Sequence, residues 1–196
     1  MRSTAAPLDG IGTSHRFTRS AWFLAFMVMG TIILTMSAKA KVPMWPVEMS
    51  LQTLAVFTIA ATFGLRLGMA TVLLYLMEGA LGMPVFQGTP EKGLGVAYMA
   101  GPTGGYLAGF VAATAIVGWA SDRGWWRNPL KIGAAMLLGE VAILALGALW
   151  LAYLLGVDMA IAYGIGPFIV TDLVKLALAA GLATVLGGFI ARLSRR

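Results

Sequence analysis

Six apolar stretches, parted by proline, glycine or charge, follow one another through this chain of 196 residues. They run roughly over 20–38, 51–65, 68–82, 97–120, 130–155 and 163–191. A helix crosses a bilayer core with about 20 apolar residues. Inside that core every backbone polar group must be satisfied within the segment or by a neighbour. The pattern predicts an all-α integral membrane protein with six transmembrane helices. Only 11% of the residues are charged, against about 25% in soluble domains, which leaves no room for a sizeable extramembrane domain. The second and third stretches are short and joined by Gly64-Leu-Arg66-Leu-Gly68, so they read as a tight hairpin with Arg66 at an interface.

Charge distribution orients the bundle. An even number of spans puts both termini on one side. With the termini cytoplasmic, ten basic residues fall inside: Arg2, Arg16, Arg19, Arg66, Arg123, Arg127, Lys131, Arg192, Arg195 and Arg196. Three fall outside, Lys39, Lys41 and Lys92. That asymmetry follows the positive-inside rule and predicts a multi-pass protein, surrounded by membrane lipid, with both termini cytoplasmic. It also accounts for the net charge of +6 without nucleic acid as a partner. Residues 1–19 read as a cytoplasmic N-terminal tail and 20–196 as a six-helix transmembrane substrate-binding domain. The run from Trp22 to Ala38 is too long for a signal-peptide core, so it reads as a retained first span. Trp125 and Trp126, beside Arg127, read as interfacial anchors.

Within the last stretch lie Asp172 and Lys175, with no further charge until Arg192. At i and i+3 they share a helix face, about 4.5 Å apart along the axis. Intramembrane charges are costly and usually face a cavity on a substrate or ion path. Two readings fit: a pair that neutralises itself, or a ligand site in which Lys175 meets an anionic group and Asp172 accepts from ligand N–H donors. Pro167 loosens the entry to this helix.

Other classes lose support. The chain contains no cysteine and a single histidine, His15, so thiol chemistry and a histidine-ligated metal are not expected. There is no G-x-x-x-x-G-K-[ST], so nucleotide binding by a phosphate loop is absent. Gly101, Gly105 and Gly109 form a small-residue ridge suited to close helix contact, with Thr103 and Tyr106 beside it. Glu78 and Glu140 also fall within spans and read as structural hydrogen-bonding or interface groups. A membrane enzyme using Glu78, Glu140 and Asp172 would need them to converge, yet they lie on different helices with no shared motif. No catalytic residue and no cofactor is expected.

Several segments resemble the BioY family, the biotin-binding S components of energy-coupling factor transporters. They are Pro46-Val-Glu48-Met-Ser50-Leu-Gln52-Thr-Leu54, Gly64-Leu-Arg66-Leu-Gly68, Leu74-Tyr75, Gly79-Ala-Leu-Gly-Met-Pro84-Val-Phe86, Gly101-Pro-Thr-Gly-Gly-Tyr106-Leu-Ala-Gly-Phe110, and Asp172-x-x-Lys175. They follow the family order from about residue 20 to the end. Glu48 stands where the family has a second proline and Ser50 where it has threonine, a departure expected to change loop stiffness.

The resemblance implies high-affinity biotin capture from outside, without chemical reaction. It also implies a transmembrane coupling protein and two ATPase subunits as partners, ATP being used only by those subunits. Ala21-x-x-x-Ala25 in the first span matches the family's face toward the coupling protein. Another vitamin or organic anion as ligand, and a homo-oligomer, both stay open. For biotin, Lys175 suits the carboxylate and Asp172 a ureido N–H. Gln52, Gln87, Tyr98 and Thr103 are expected as further polar contacts, and Trp45 and Phe86 as apolar walls.

Overall fold

The computed structural model describes residues 11–42 and 48–193, with side chains for 20–41 and 48–187. Trp45, proposed above as a wall of the site, lies outside the described residues. Helix α1 spans Ile11–Lys39 and is followed by two short antiparallel strands, β1 (Lys41–Val42) and β2 (Met49–Ser50), with Lys41 opposite Ser50. Then come α2 (Gln52–Ala80), a short α3 (Gly95–Met99), α4 (Gly104–Asp122) and α5 (Pro129–Leu155). A one-turn α6 (Val157–Met159), a wide π-helical turn over Ala160–Ile165, and α7 (Phe168–Leu193) complete the order.

Among the described residues, five helices are long and apolar enough to cross a membrane: Ser20–Lys39, Gln52–Ala80, Gly104–Asp122, Pro129–Leu155 and Val157–Gly187. The expected stretches 51–65 and 68–82 both fall in α2, helical except at Gly64, whose φ is 72° and ψ −174°. That left-handed-side φ suits glycine, which has no Cβ to clash. Here it reverses the chain. Gln52 Nε2 donates to the Tyr75 hydroxyl at 2.6 Å, 23 residues along, and a Cβ on Gly68 would meet Ala60 Cα at 3.3 Å. Both contacts require the two arms to lie side by side. Asp122, at the end of α4, accepts from the Leu65 N–H at 3.3 Å, and a carboxylate at a helix start is favourable.

Two other boundaries differ from the sequence reading. The stretch 97–120 is split, because residues 95–99 form α3 and α4 starts only at Gly104. The last stretch starts at Val157 rather than 163, after Gly156 at φ 94°. Gly105 and Gly109 let α4 lie with its backbone against α5: a Cβ on Gly109 would fall 2.6 Å from Ile143 Cα. Gly101 stands before the helix, where its carbonyl accepts from Trp150 Nε1 at 2.9 Å.

These contacts sort the connections onto two ends. The Gly64 turn meets Asp122, and Trp126 after α4 lies against Gly187 of α7, so the turns carrying Arg66, Arg123, Arg127 and Lys131 are at one end. At the other end are β1, β2, the loop from Leu81 to Leu94, and α6.

Candidate functional site

At this second end a cavity with about 510 Å³ of empty space, its mouth included, opens between α2, α4, α5, α7 and the loop before α3. Asp172 and Lys175 line it from the first turns of α7. They are 2% and 8% exposed, and Lys175 Nζ donates to Asp172 Oδ1 at 2.6 Å. Asp172 Oδ1 also lies 3.4 Å from the Thr53 hydroxyl of α2.

The walls are aromatic and aliphatic. Phe86 is stacked on Tyr98 with centroids 5.1 Å apart and meets Tyr75 edge-on at 5.3 Å. Gly79 of α2 leaves room for the Phe86 ring. Tyr106 of α4 donates to the Gly164 carbonyl at 2.7 Å, a group in the wide turn before α7. Its ring lies 6.0 Å from Phe168. Leu107, Phe110, Ile143 and Leu144 finish the apolar lining.

Near the mouth, polar side chains tie the loops together. Gln87 Nε2 donates to the Glu48 carbonyl at 2.8 Å, and Tyr98 donates to the Gln87 carbonyl at 2.6 Å. Glu48 lines the cavity and pairs with Lys41 at 3.0 Å and Lys92 at 3.1 Å. Burial pushes the Glu48 carboxyl up, but the ammoniums of Lys41 and Lys92 outweigh it and hold the group below its usual range. Lys39 Nζ, at the end of α1, donates to Phe86 O at 3.0 Å and to Thr89 O at 2.8 Å.

A family model described as "BioY family" matches residues 10–192. This chain belongs to the BioY family. Among its relatives, a "Probable biotin transporter BioY" of Pyrococcus horikoshii is 35% identical over 165 residues, 84% of this chain and 96% of that protein. "Biotin transporter BioY2" of Lactococcus lactis subsp. cremoris is 30% identical over 166 residues, 83% of this chain and 89% of the relative. The fold is similar to a crystal structure of "the S-component for biotin from an ECF-type ABC transporter". The TM-score is 0.76 at 21% identity, covering 86% of this chain and 92% of the other.

In this BioY-family chain, seven of the residues singled out from sequence come together at one cavity: Gln52, Phe86, Gln87, Tyr98, Thr103, Asp172 and Lys175. Ala21 and Ala25 do not join them. They are exposed on α1. Sequence reasoning missed Thr53, Ile143, Leu144 and Phe168. Thr53 had a signal in its place beside Gln52 in the quoted motif, whereas the aliphatic residues of α5 had none, since that helix is apolar on every face. Glu48 does more than alter loop stiffness, because its carboxylate joins two lysines over the site. Glu78 accepts from Thr31 of α1 at 3.2 Å, the structural role expected of it.

Proposed function

We propose that this chain is the substrate-capture subunit of an energy-coupling factor importer, binding biotin on the outer side of a bacterial cytoplasmic membrane. A coupling protein docked on Ala21 and Ala25 and two ATPase subunits would supply the energy. Residues 1–19 then form the cytoplasmic tail and 20–196 the substrate-binding domain. Six crossings result when the arms of α2 count separately, both termini being cytoplasmic. The arms measure about 18 Å and about 24 Å at 1.5 Å per residue, shorter than the ~30 Å core. The lysines at the cavity end and the arginines at the other support that orientation.

The observation that carries the ligand reading is the buried Asp172–Lys175 pair at the base of an aromatic-walled cavity. A ligand with polar ends and an apolar middle fits such a space. Asp172 takes a ureido N–H, and Lys175 takes the carboxylate. The 2.6 Å contact between the two groups favours a second reading for Lys175. It puts both at one end of the ligand, where a ureido group offers C=O and N–H side by side. Gln52, Gln87, Tyr98 and Thr103 add polar contacts, and Phe86 forms a wall.

The test is biotin binding by the purified protein in detergent, with a panel of other vitamins as competitors, followed by uptake with and without the ATPase subunits. Biotinamide separates the two roles of Lys175. A carboxylate role predicts that the amide binds weakly and that Lys175→Ala erases the difference. A ureido role predicts that Lys175→Ala weakens acid and amide alike. Failure to bind biotin with retention of another vitamin would replace the ligand and leave the site in place.

A further inference from the structure

Glu140 is the buried ionisable group that the site described so far leaves unused. It stands on α5, 5% exposed, and neither Oε1 nor Oε2 has a hydrogen-bond partner among the described residues. Ile143 and Leu144, about one helical turn nearer the mouth, line the cavity. Glu140 is not itself in that lining, but it shares the α5 face of Ile143 and Leu144, which line the same cavity as Asp172 and Lys175 of the adjoining α7. Among the described residues of that lining Lys175 carries the one ammonium, and it is already 2.6 Å from Asp172.

A carboxyl with a purely structural role would resemble Glu78, which accepts from Thr31. Glu140 bears the cost of an unpaired buried acceptor, in a place where an aliphatic side chain would pack without it. A missing donor that arrives with the ligand removes that cost on binding.

We propose that Glu140 is a ligand-recognition residue, which with Asp172 and Lys175 gives two acceptors and one donor to complement the two N–H groups and one C=O of a cyclic urea. The ring would settle about one helical turn below Ile143. This rests on the biotin reading with Lys175 at the ureido end, and adds which edge of the ligand the cavity floor reads.

The experiment uses the purified full-length chain and three probes: biotin and the two cyclic-carbamate analogues in which ring oxygen replaces one or the other N–H. The wild-type chain should reject both analogues by roughly 100-fold or more, because each leaves an acceptor facing an acceptor. In Glu140→Gln the amide N–H can donate to a ring oxygen. The preference for biotin over one analogue, and not the other, should then fall by about tenfold or more. Glu140→Met, close in shape, should lose that same discrimination without gaining affinity for the analogue. Analogue-to-biotin ratios within about twofold of wild type in a folded Glu140→Gln protein would overturn the assignment. Absence of biotin binding by the wild-type chain would instead overturn the reading beneath it, and this proposal with it.

Discussion

The cavity is bounded at each end by an ion cluster, and the two are built in opposite ways from the same kinds of charge. At the mouth Glu48 is buried, but Lys41 and Lys92 are 29% and 40% exposed. Their ammoniums keep much of their hydration, and salt can screen them. At the floor the side chains of Lys175 and Asp172 are 10% and 3% exposed. Partly exposed pairs contribute about 0–1 kcal/mol each. Breaking a buried pair costs about 3–5 kcal/mol, because it leaves one charge without a partner. The mouth can therefore open and reseal at little cost, while the floor holds one geometry. A capture site needs both properties.

The largest effect is expected at the floor. Lys175→Ala and Asp172→Ala should each lower biotin affinity by ~100-fold or more, as the loss of a charged hydrogen-bonding partner costs about 3 kcal/mol or above. The double variant should unfold thermally at a higher temperature than Lys175→Ala, because it leaves one buried carboxyl fewer without an ammonium. Strictly additive losses would show that the two residues act independently.

Next in size is Gly79→Ala. Its Cβ would strike the Phe86 ring, and overpacking of this kind costs about 1–3 kcal/mol. Thermal unfolding should show the loss, with faster ligand release from a displaced wall. Smaller still is Glu48→Gln. It should change stability by less than about 1 kcal/mol while raising the biotin dissociation rate, and added salt should reproduce part of that rise in the wild type. An unchanged off-rate would remove the mouth from any part in retention.

The subtlest effect is that of pH. The folded Glu48 carboxyl lies below its usual 4.5, so its contribution is complete above the unfolded value and is lost as pH falls through the lowered one. Ligand dissociation measured by stopped flow should accelerate as pH falls through the lowered Glu48 value, and Glu48→Gln should remove that acid-side rise. Acceleration beginning near pH 7 would point to another group.

What the sequence revealed depended on how local each signal was. Asp172 and Lys175 stood out because two charges three residues apart in an apolar run announce a shared face. The fold-back around Gly64 was legible in the glycines at 64 and 68. That Gly64 alone turns the chain was not, because both residues look alike until φ is known. The early start of the last helix was hidden by Gly156, which resembles the end of a loop. Glu140 reads in sequence as a structural hydrogen-bonding or interface group, since nothing local distinguishes a partnered acid from an unpartnered one. Which side of α5 faces α7 is a property of packing, and no polar stripe on that helix records it.

Lys39 closes α1 with its ammonium held by the carbonyls of Phe86 and Thr89 and by the Thr89 hydroxyl, at 2.8–3.0 Å. Phe86 is a wall of the cavity, and Ala21 and Ala25 lie about 27 Å and about 21 Å back along the same rod, at 1.5 Å per residue. A helix resists bending far more than three hydrogen bonds resist rupture. A tilt of α1 would therefore strain the three bonds that tie its end to the loop carrying Phe86.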